Sequence, residues 1–159
     1  MPKTTLDRTD RRILEQLQAD GRLSNQELAE RVLLSPSPCL RRVRALERSG
    51  VIQRYAAMLD PLRVGLELLA YVSVKLEKRG KMPVDQFTRA VQSWPEVITC
   101  FSMTGDMDYL MRVQVEDLAH YSRFIMDKLL KQPGVIDIRS NFVLERVKET
   151  SALPLEHLA

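Results

Sequence analysis

The chain has 159 residues, of which 45% are apolar, 28% charged and 6% aromatic. These proportions are typical of a folded globular protein and exclude a collagen-like or largely disordered chain. The net charge of +3 is unevenly distributed, because residues 1–55 carry 11 basic and 7 acidic side chains, and ten of those bases are arginine. We therefore expect any anionic partner to bind the first third of the chain.

Composition and spacing argue against several other classes of protein. No apolar stretch approaches the ~20 residues of a membrane span, and the first residues lack a signal-peptide core, so we expect a cytoplasmic protein without a membrane partner. Cys39, Cys100, His120 and His157 do not have metal-ligand spacing. The sequence also contains no phosphate-binding loop and no nucleophile elbow. We expect no metal, no cofactor and no enzymatic activity.

Three short helices are predicted within residues 1–50. Each begins at a residue whose side chain is able to cap free backbone N–H groups, and these predicted caps are Asp7, Ser24 and Ser35. Glu27 follows Ser24 at the spacing of a capping box, and Pro36 follows Ser35 at the first helical position. The short turn between the second and third helices is typical of a helix-turn-helix domain.

The third helix is the predicted DNA-binding helix. Segment 35–54 contains five arginines and one acidic residue, Glu47. Leu40, Val43 and Leu46 are predicted to face the core, which leaves the outward face to the rest of the helix. Guanidinium groups donate paired hydrogen bonds to phosphate and to guanine. The alternative is that this arginine-rich face is simply a solvated surface.

The predicted DNA contacts fall into three groups. Near base edges we place the N-terminal part of the third helix, namely Ser35, Ser37, Pro38 and Arg41. Contacts with phosphates are predicted for Arg42, Arg44 and Arg48. A further phosphate is predicted at the start of the second helix, at Ser24, Asn25 and Gln26.

The remainder of the chain alternates strand and helix. After a predicted strand and linker at 51–65, the elements are a strand at 66–77, a loop at 78–82, a helix at 83–93, strands at 97–104 and 108–115, a helix at 117–131 and a strand at 135–147. This βαββαβ order predicts a ferredoxin-like domain over 66–150. The fold class is therefore α+β, with a winged-helix-like N-terminal domain over 1–50. The structure of the tail at 151–159 stays open.

Several ordered motifs resemble one known family. They include Leu6 to Leu14, the run from Leu34 to Arg44, the segment Gly50-Val51-Ile52, and Thr104 to Leu110 with its Gly-Asp-x-Asp-Tyr pattern. Further matches are Pro133-Gly134-Val135 and Phe142-Val143-Leu144. Together these motifs span roughly residues 6–150, and the chain resembles the Lrp/AsnC, or feast/famine, family of bacterial transcription regulators.

The resemblance implies a DNA-binding domain followed by a domain that dimerises and senses amino acids. In this family dimers often associate further into octamers, and ligand binds where dimers meet. The resemblance is strongest to regulators that respond to leucine, methionine or branched-chain amino acids. Ser102 stands where leucine-responsive relatives commonly have a larger apolar residue, which argues against leucine itself.

The resemblance also points to the hairpin loop around Gly105 as an effector site. Backbone groups of the turn would bind the ligand's carboxylate and ammonium, with Asp106 or Asp108 as counter-charge. Hydroxyl contacts are expected from Thr104 and Ser140, and an apolar pocket from Leu130 and Ile138. The complete predicted set is Ser102, Thr104, Gly105, Asp106, Met107, Asp108, Tyr109, Leu130, Ile138 and Ser140. From spacing alone, the same loop is an ordinary hairpin turn.

The sequence thus predicts a transcription regulator that binds pseudo-palindromic double-stranded DNA as a symmetric dimer or larger assembly and responds to an amino acid. One rival hypothesis is an architectural DNA-binding protein without an effector. Another is a small ferredoxin-like enzyme or regulatory subunit that does not contact DNA.

Overall fold

The computed structural model describes residues 6–77 and 82–158. Its internal contacts group the chain into two compact units, one formed by residues 1–58 and 148–159 and the other by residues 59–147. The predicted loop at 78–82 lies outside the described residues, except for Met82, at which a helix begins. No described helix is long and apolar enough to cross a membrane.

The first unit contains the three predicted helices, α1 (Arg8–Ala19), α2 (Asn25–Val32) and α3 (Pro36–Arg48). The predicted caps of α1 and α2 are confirmed. The Asp7 carboxylate accepts hydrogen bonds from the backbone N–H groups of Thr9 and Asp10, and Ser24 and Glu27 form a reciprocal capping box. Ser35 precedes α3 as predicted, but its side chain makes no capping hydrogen bond.

Apolar side chains from all three helices form the core of this unit. Ile13, Leu28, Ala29, Val32, Cys39 and Leu46 are each at most 3% exposed. Removal of such side chains from water is the main favourable contribution to folding of a small helical domain. Partly buried residues that pack around this core include Val43, Ile52 and, from the far end of the sequence, Leu155.

Residues 51–58 do not form the predicted strand. The described residues of the first unit include no other strand with which this segment could form a ladder, and an unpaired strand gains no cross-strand hydrogen bonds. The segment instead packs beside α3, where the Ile52 N–H donates to the Leu46 carbonyl at 3.1 Å and the Tyr55 hydroxyl donates to Glu47 at 3.0 Å. The prediction of a strand here is wrong.

The segment 148–158, for which the sequence left the structure open, lies against α1. The Gln18 side-chain amide forms two hydrogen bonds with the backbone of Leu153, at 2.6 and 3.1 Å. The Arg11 guanidinium donates to the carbonyls of Glu156 and Leu158 at 3.5 and 3.4 Å. We call this segment the C-terminal strap, because it adds backbone and side-chain contacts to a domain that begins more than a hundred residues earlier.

The second unit is a four-stranded antiparallel sheet with helices packed on one face. Its elements are β1 (Leu68–Leu76), α4 (Met82–Gln92), β2 (Val97–Ser102), β3 (Tyr109–Val115), α5 (Leu118–Arg123), which continues as a π-helix over Phe124–Leu129, and β4 (Val135–Phe142). The strand order β2-β3-β1-β4 and the βαββαβ element order confirm the predicted ferredoxin-like fold.

The core of the second unit lies between the sheet and its helices. Val72, Val74, Met111 and Val113 point to this side of the sheet and are fully buried, together with Phe87 and Phe124 from the helices. On the opposite face, Tyr71 and Phe101 are 39% and 58% exposed. Because side chains alternate between the faces of a strand, no helix among the described residues of this unit covers the second face.

The last strand is shorter than predicted. Paired residues of β4 end at Phe142, and one further hydrogen bond joins the Val143 N–H to the Leu69 carbonyl. In this register residue 144 would lie opposite Leu68, where β1 begins, so β1 provides no partner from residue 145 onward. The strand propensity of the residues up to 147 therefore has no neighbouring strand to pair with.

Candidate nucleic-acid interface and effector site

The outward face of α3 differs from the predicted one at Leu40, which is partly exposed, and at Arg42, which pairs with residues at the start of α1. Cys39 and Leu46 are buried and Val43 is partly buried, whereas Leu40 is 36% exposed. The prediction that Leu40 faces the core is therefore wrong. A shallow groove of about 240 Å³ runs along this outward face, lined by Ser37, Leu40, Arg41, Arg44 and Arg48.

Three arginines of this face carry charge that nothing nearby neutralises. Within the described residues Arg41, Arg44 and Arg48 are exposed and have no hydrogen-bonding or ion-pair partner. The single acidic residue of α3, Glu47, accepts a hydrogen bond from Tyr55. The face therefore presents guanidinium groups that are free to bind an anion, as a DNA-binding helix requires.

Arg42 occupies the flank of α3 that meets α1. Its guanidinium lies 2.8 Å from a carboxylate oxygen of Asp7 and 2.8 Å from one of Asp10. These carboxylates raise the pKa of Arg42, while the backbone N–H of Asp10 and then Arg42 lower the pKa of Asp7. A phosphate would have to compete with both acids, so the predicted phosphate contact of Arg42 stays a prediction.

The other predicted DNA contacts lie around the turn between α2 and α3. Ser35 and Ser37 are exposed, and Pro38 is partly exposed. Ser24 is occupied as the cap of α2, while the Asn25 amide donates to the carbonyl of Pro36 at 2.9 Å. Asn25 therefore fixes the start of α3 relative to α2, and Gln26 is exposed beside it.

In the second unit, the loop between β2 and β3 is attached to β1 through Asp108. The Asp108 carboxylate accepts the Leu76 N–H at 2.8 Å, and the Asp108 N–H donates to the Val74 carbonyl at 3.0 Å. The Met103 N–H closes the loop by donating to the Asp108 carbonyl at 2.8 Å. Asp108 is thus a structural residue of the hairpin, in addition to any role in binding an effector.

The tip of the loop faces solvent. Thr104, Gly105 and Asp106 are exposed, as is Ser102 at the end of β2, while Met107 is partly buried. Gly105 has a φ of +115°, a conformation that residues with a side chain rarely adopt. Asp106 makes no hydrogen bond or ion pair with the described residues, which leaves its carboxylate free for a ligand.

The remaining predicted effector residues are spread across the unit. Tyr109 is buried, and its ring centroid lies 4.7 Å from that of Phe87, so it is a core residue. Ile138 and Ser140 lie on β4, which is separated from β3 by β1. Leu130, at the end of the π-helix, is 51% exposed. The predicted effector residues therefore lie on three parts of this unit, namely the loop with its flanking strands, β4 and the end of the π-helix.

Ser140 has a partner that sequence inspection missed. The hydroxyl of Tyr121, on α5, donates a short hydrogen bond to the Ser140 hydroxyl, and the Tyr121 ring packs edge-on against Phe142. Tyr121 lies in the helix predicted at 117–131, but its position in the sequence does not indicate this partner on β4. Among the described residues, no group of three or more His, Cys, Asp or Glu side chains is arranged to hold a metal ion.

Comparison with family models gives one match for each half of the chain. Residues 6–53 match a winged helix-turn-helix DNA-binding model, and residues 69–153 match the Lrp/AsnC ligand-binding domain. These two matches correspond to the helical segment that contains α3 and to the ferredoxin-like segment that contains the loop at Gly105.

Individual proteins are similar over nearly the whole chain. The leucine-responsive regulatory proteins of Escherichia coli and Salmonella typhimurium are 44% identical over 155 residues, which is 98% of this chain and 94% of theirs. A transcriptional regulator from Neisseria meningitidis, solved with L-methionine, is 48% identical with a TM-score of 0.95, covering 98% of this chain and all of the other. An AsnC family regulator from Agrobacterium tumefaciens gives 38% identity and a TM-score of 0.91, over 97% and 100% of the two chains.

Proposed function

We propose specific roles for residues of this chain and a specific class of effector. The proposal starts from the premise that the chain belongs to the Lrp/AsnC family of DNA-binding, amino-acid-responsive transcription regulators. The helix α3 enters the major groove of DNA with its outward face toward the bases. The loop at Gly105 binds the α-amino and α-carboxyl groups of a methionine-type amino acid. Both roles belong to a homo-oligomer.

The unpaired arginines of α3 give the strongest support for the DNA-binding role. Arg41 lies near the N-terminal end of the helix, the part that contacts base edges in helix-turn-helix proteins, while Arg44 and Arg48 lie one and two turns further along. We therefore assign Arg41 to a base and the other two to phosphates. Arg42 has a positioning role, because Asp7 and Asp10 hold it against α1.

Gel-shift titrations at several salt concentrations test this division of roles. We expect Arg48→Ala to lower the slope of log affinity against log salt by about 1, since each phosphate contact releases roughly one counterion. Arg41→Ala should weaken binding to a selected site by about 1–3 kcal/mol. Arg42→Ala distinguishes the two roles considered for Arg42, because an unchanged salt slope supports the positioning role and a slope lowered by about 1 supports the predicted phosphate contact. Unaltered binding in an Arg41→Ala/Arg44→Ala/Arg48→Ala variant would exclude α3 as the DNA-binding helix.

The exposed loop tip supports the effector role. Asp106 is an unpaired carboxylate beside exposed backbone groups, which suits the ammonium group of an amino acid. We favour methionine because the similar Neisseria regulator was solved with L-methionine, and because Ser102 leaves more room than a bulky apolar residue would. Leucine and branched-chain amino acids are the alternatives.

A thermal-shift screen of the amino acids tests the effector site, because a ligand that binds only the folded protein raises its melting temperature. We expect methionine to give the largest shift. Asp106→Asn should abolish that shift without changing the melting temperature of the free protein. Asp108→Ala should lower the melting temperature of the free protein by several degrees, because it leaves the Leu76 N–H without its acceptor. A methionine shift that survives in Asp106→Asn would contradict the assignment.

The self-association proposed here uses the uncovered face of the sheet, where Tyr71 and Phe101 are exposed. Burying such a face against a second copy would remove apolar surface from water, and a symmetric dimer would present two copies of α3 to a pseudo-palindromic site. Further association would bring the loop tip of one dimer against another. Analytical ultracentrifugation with and without methionine measures both steps.

A further inference from the structure

One apolar side chain lies among the cationic and hydroxyl groups of the DNA-facing surface. Leu40 is 36% exposed and lines the groove on α3 together with Ser37, Arg41 and Arg44. Positions 37, 40, 41 and 44 follow the i, i+3, i+4, i+7 spacing of a single helical face. The core of the unit contains Cys39, Val43 and Leu46 of α3, whereas the exposed part of Leu40 lies in the groove.

The position of Leu40 defines what it would meet in a DNA complex. It precedes Arg41 by one residue and Arg44 by about one helical turn, so all three side chains line the same groove, with the shorter leucine nearer the helix axis. In the major groove, base edges carry hydrogen-bond donors and acceptors at every base pair but only one apolar group, the 5-methyl of thymine. An aliphatic side chain gains nothing from the polar edges and gains burial from that methyl group.

We propose that Leu40 is a specificity-determining residue that packs against the 5-methyl group of a thymine in each half-site. This inference rests on the proposed entry of α3 into the major groove. The arginines supply charge and hydrogen bonds, while Leu40 selects thymine over cytosine at one position by an apolar contact. Loss of the contact removes the preference at that position and leaves the other base preferences intact.

The experiment replaces thymine by deoxyuridine, which has the same hydrogen-bonding groups but lacks the methyl. A binding site is first selected with the full chain from random duplex DNA. Affinities for the selected duplex and for duplexes with single symmetric dT-to-dU replacements are then measured by fluorescence anisotropy at one fixed salt concentration. We expect one replacement per half-site to weaken binding about fifteenfold, because the symmetric duplex then lacks two methyl groups and the loss of each buried methyl group costs about fourfold.

The same duplexes are then measured with protein variants, as a double-mutant cycle. In Leu40→Ala the penalty for that replacement should disappear, whereas Leu40→Met should retain most of it. Leu118→Ala is the matched control, because Leu118 is an exposed leucine on α5 in the other unit, and it should behave as the unmodified protein. Circular dichroism melting curves verify that each variant is folded.

Three possible results distinguish failure of the proposed thymine contact of Leu40 from failure of the proposed DNA-binding role of α3. If Leu40→Ala weakens binding but keeps the full dU penalty, Leu40 only supports the arginine side chains and the proposed contact is wrong. If no dU replacement affects the unmodified protein at a selected site, the contact is also wrong, while DNA binding stands. If selection enriches no sequence at all, both the proposed DNA-binding role and the thymine contact are overturned.

Discussion

Asp7 and Arg42 illustrate how single charges hold the N-terminal helices together. Asp7 caps α1 through the N–H groups of Thr9 and Asp10, and it also contacts Arg42 of α3 at 2.8 Å. The pairing joins residues 35 positions apart in sequence. Only the cap was predictable, because a capping signal is local, whereas no local signal indicates which distant arginine a carboxylate will meet.

The lowered pKa of Asp7 determines how its contribution to folding stability changes with pH. The hydrogen bond from the backbone N–H of Asp10 lowers the pKa of Asp7 most, burial raises it, and Arg42 lowers it further. The folded-state pKa therefore lies below the ordinary value of 3.8. The ionised form therefore stabilises the folded state fully above the unfolded-state pKa, and this contribution is lost as the pH falls through the folded-state pKa. The relevant window lies below about pH 4.

We expect Asp7→Asn to weaken the acid dependence of α1 stability, because asparagine still caps the helix but does not titrate. Because the carboxylate is about half exposed, solvent screening limits the difference to roughly 0.5 kcal/mol. Hydrogen exchange of the α1 amides between about pH 2 and 5 measures it. Equal pH slopes in the variant and in the unmodified protein would contradict this role of Asp7.

Two different sets of apolar residues on α3 have helical spacing, so the sequence alone did not show which side of the helix faces the core. Leu40, Val43 and Leu46 satisfy helical spacing, and so do Cys39, Val43 and Leu46. The prediction placed Leu40 rather than Cys39 in the core because leucine is the more apolar residue. Free cysteine, however, is among the residues most often buried. The same ambiguity displaced Arg42 from the outward face, because a rotation of one residue moves each side chain by about 100°.

At the level of elements, predictions succeeded where a signal was local and failed where a partner was needed. The caps of α1 and α2, the amphipathic helices and the hairpin at Gly105 follow from neighbouring residues, whereas the Ser35 side chain makes no capping hydrogen bond. By contrast, strand propensity at 51–58 and at 143–147 met no strand with which to pair. The predicted effector residues Leu130, Ile138 and Ser140 lie outside the loop, and sequence spacing alone does not give their distances from it.

The turn that leads into β4 depends on a close approach at Gly134. Its φ is +83°, and a Cβ built there would lie 2.6 Å from the Cβ of Pro83. We expect Gly134→Ala to destabilise the second unit by about 2 kcal/mol, since both the backbone and Pro83 must shift. Gly65→Ala is the matched control, with a φ of +78° but open space around it, and should cost about 1 kcal/mol.

Both glycine variants are measured by unfolding followed through the fluorescence of Trp94, the single tryptophan, which is 8% exposed within the second unit. A difference of 1 kcal/mol shifts the melting temperature of a domain of this size by about 4–8 °C. Equal shifts for the two variants would show that the contact with Pro83 relaxes without cost and that only the backbone conformation matters.

At the level of the whole molecule, the two units are joined twice along the chain. The polypeptide leaves the helical unit after residue 58, forms the second unit, and returns at residue 148 as the C-terminal strap. Leu155 packs against the helical core, and Leu153 is held by Gln18 through its backbone. The helical unit is therefore not one continuous segment of sequence. The predicted domain at 1–50 contained only its N-terminal part.

We expect Leu155→Ala to destabilise the helical unit by about 1 kcal/mol, because Leu155 is only partly buried. Leu153→Ala is the matched control in the same segment, since its side chain is 70% exposed and its backbone bonds remain. Hydrogen exchange of α1 should accelerate in the first variant alone, with no change in the unfolding of Trp94. Equal exchange in both variants would contradict a packing role for Leu155.

The strap also orders events during protein synthesis. The α1 residues that it contacts leave the ribosome first, whereas residues 148–158 leave only after the whole second unit has been made. At ~5–20 residues per second, the ~130 residues between Gln18 and the strap impose a delay of roughly 6 to 26 s. During that interval the surface of α1 around Gln18 and Arg11 is uncovered. The helical unit thus acquires its final contacts only when the effector-binding unit is already complete, so a nascent chain that stalls within the second unit carries a helix-turn-helix that lacks the strap.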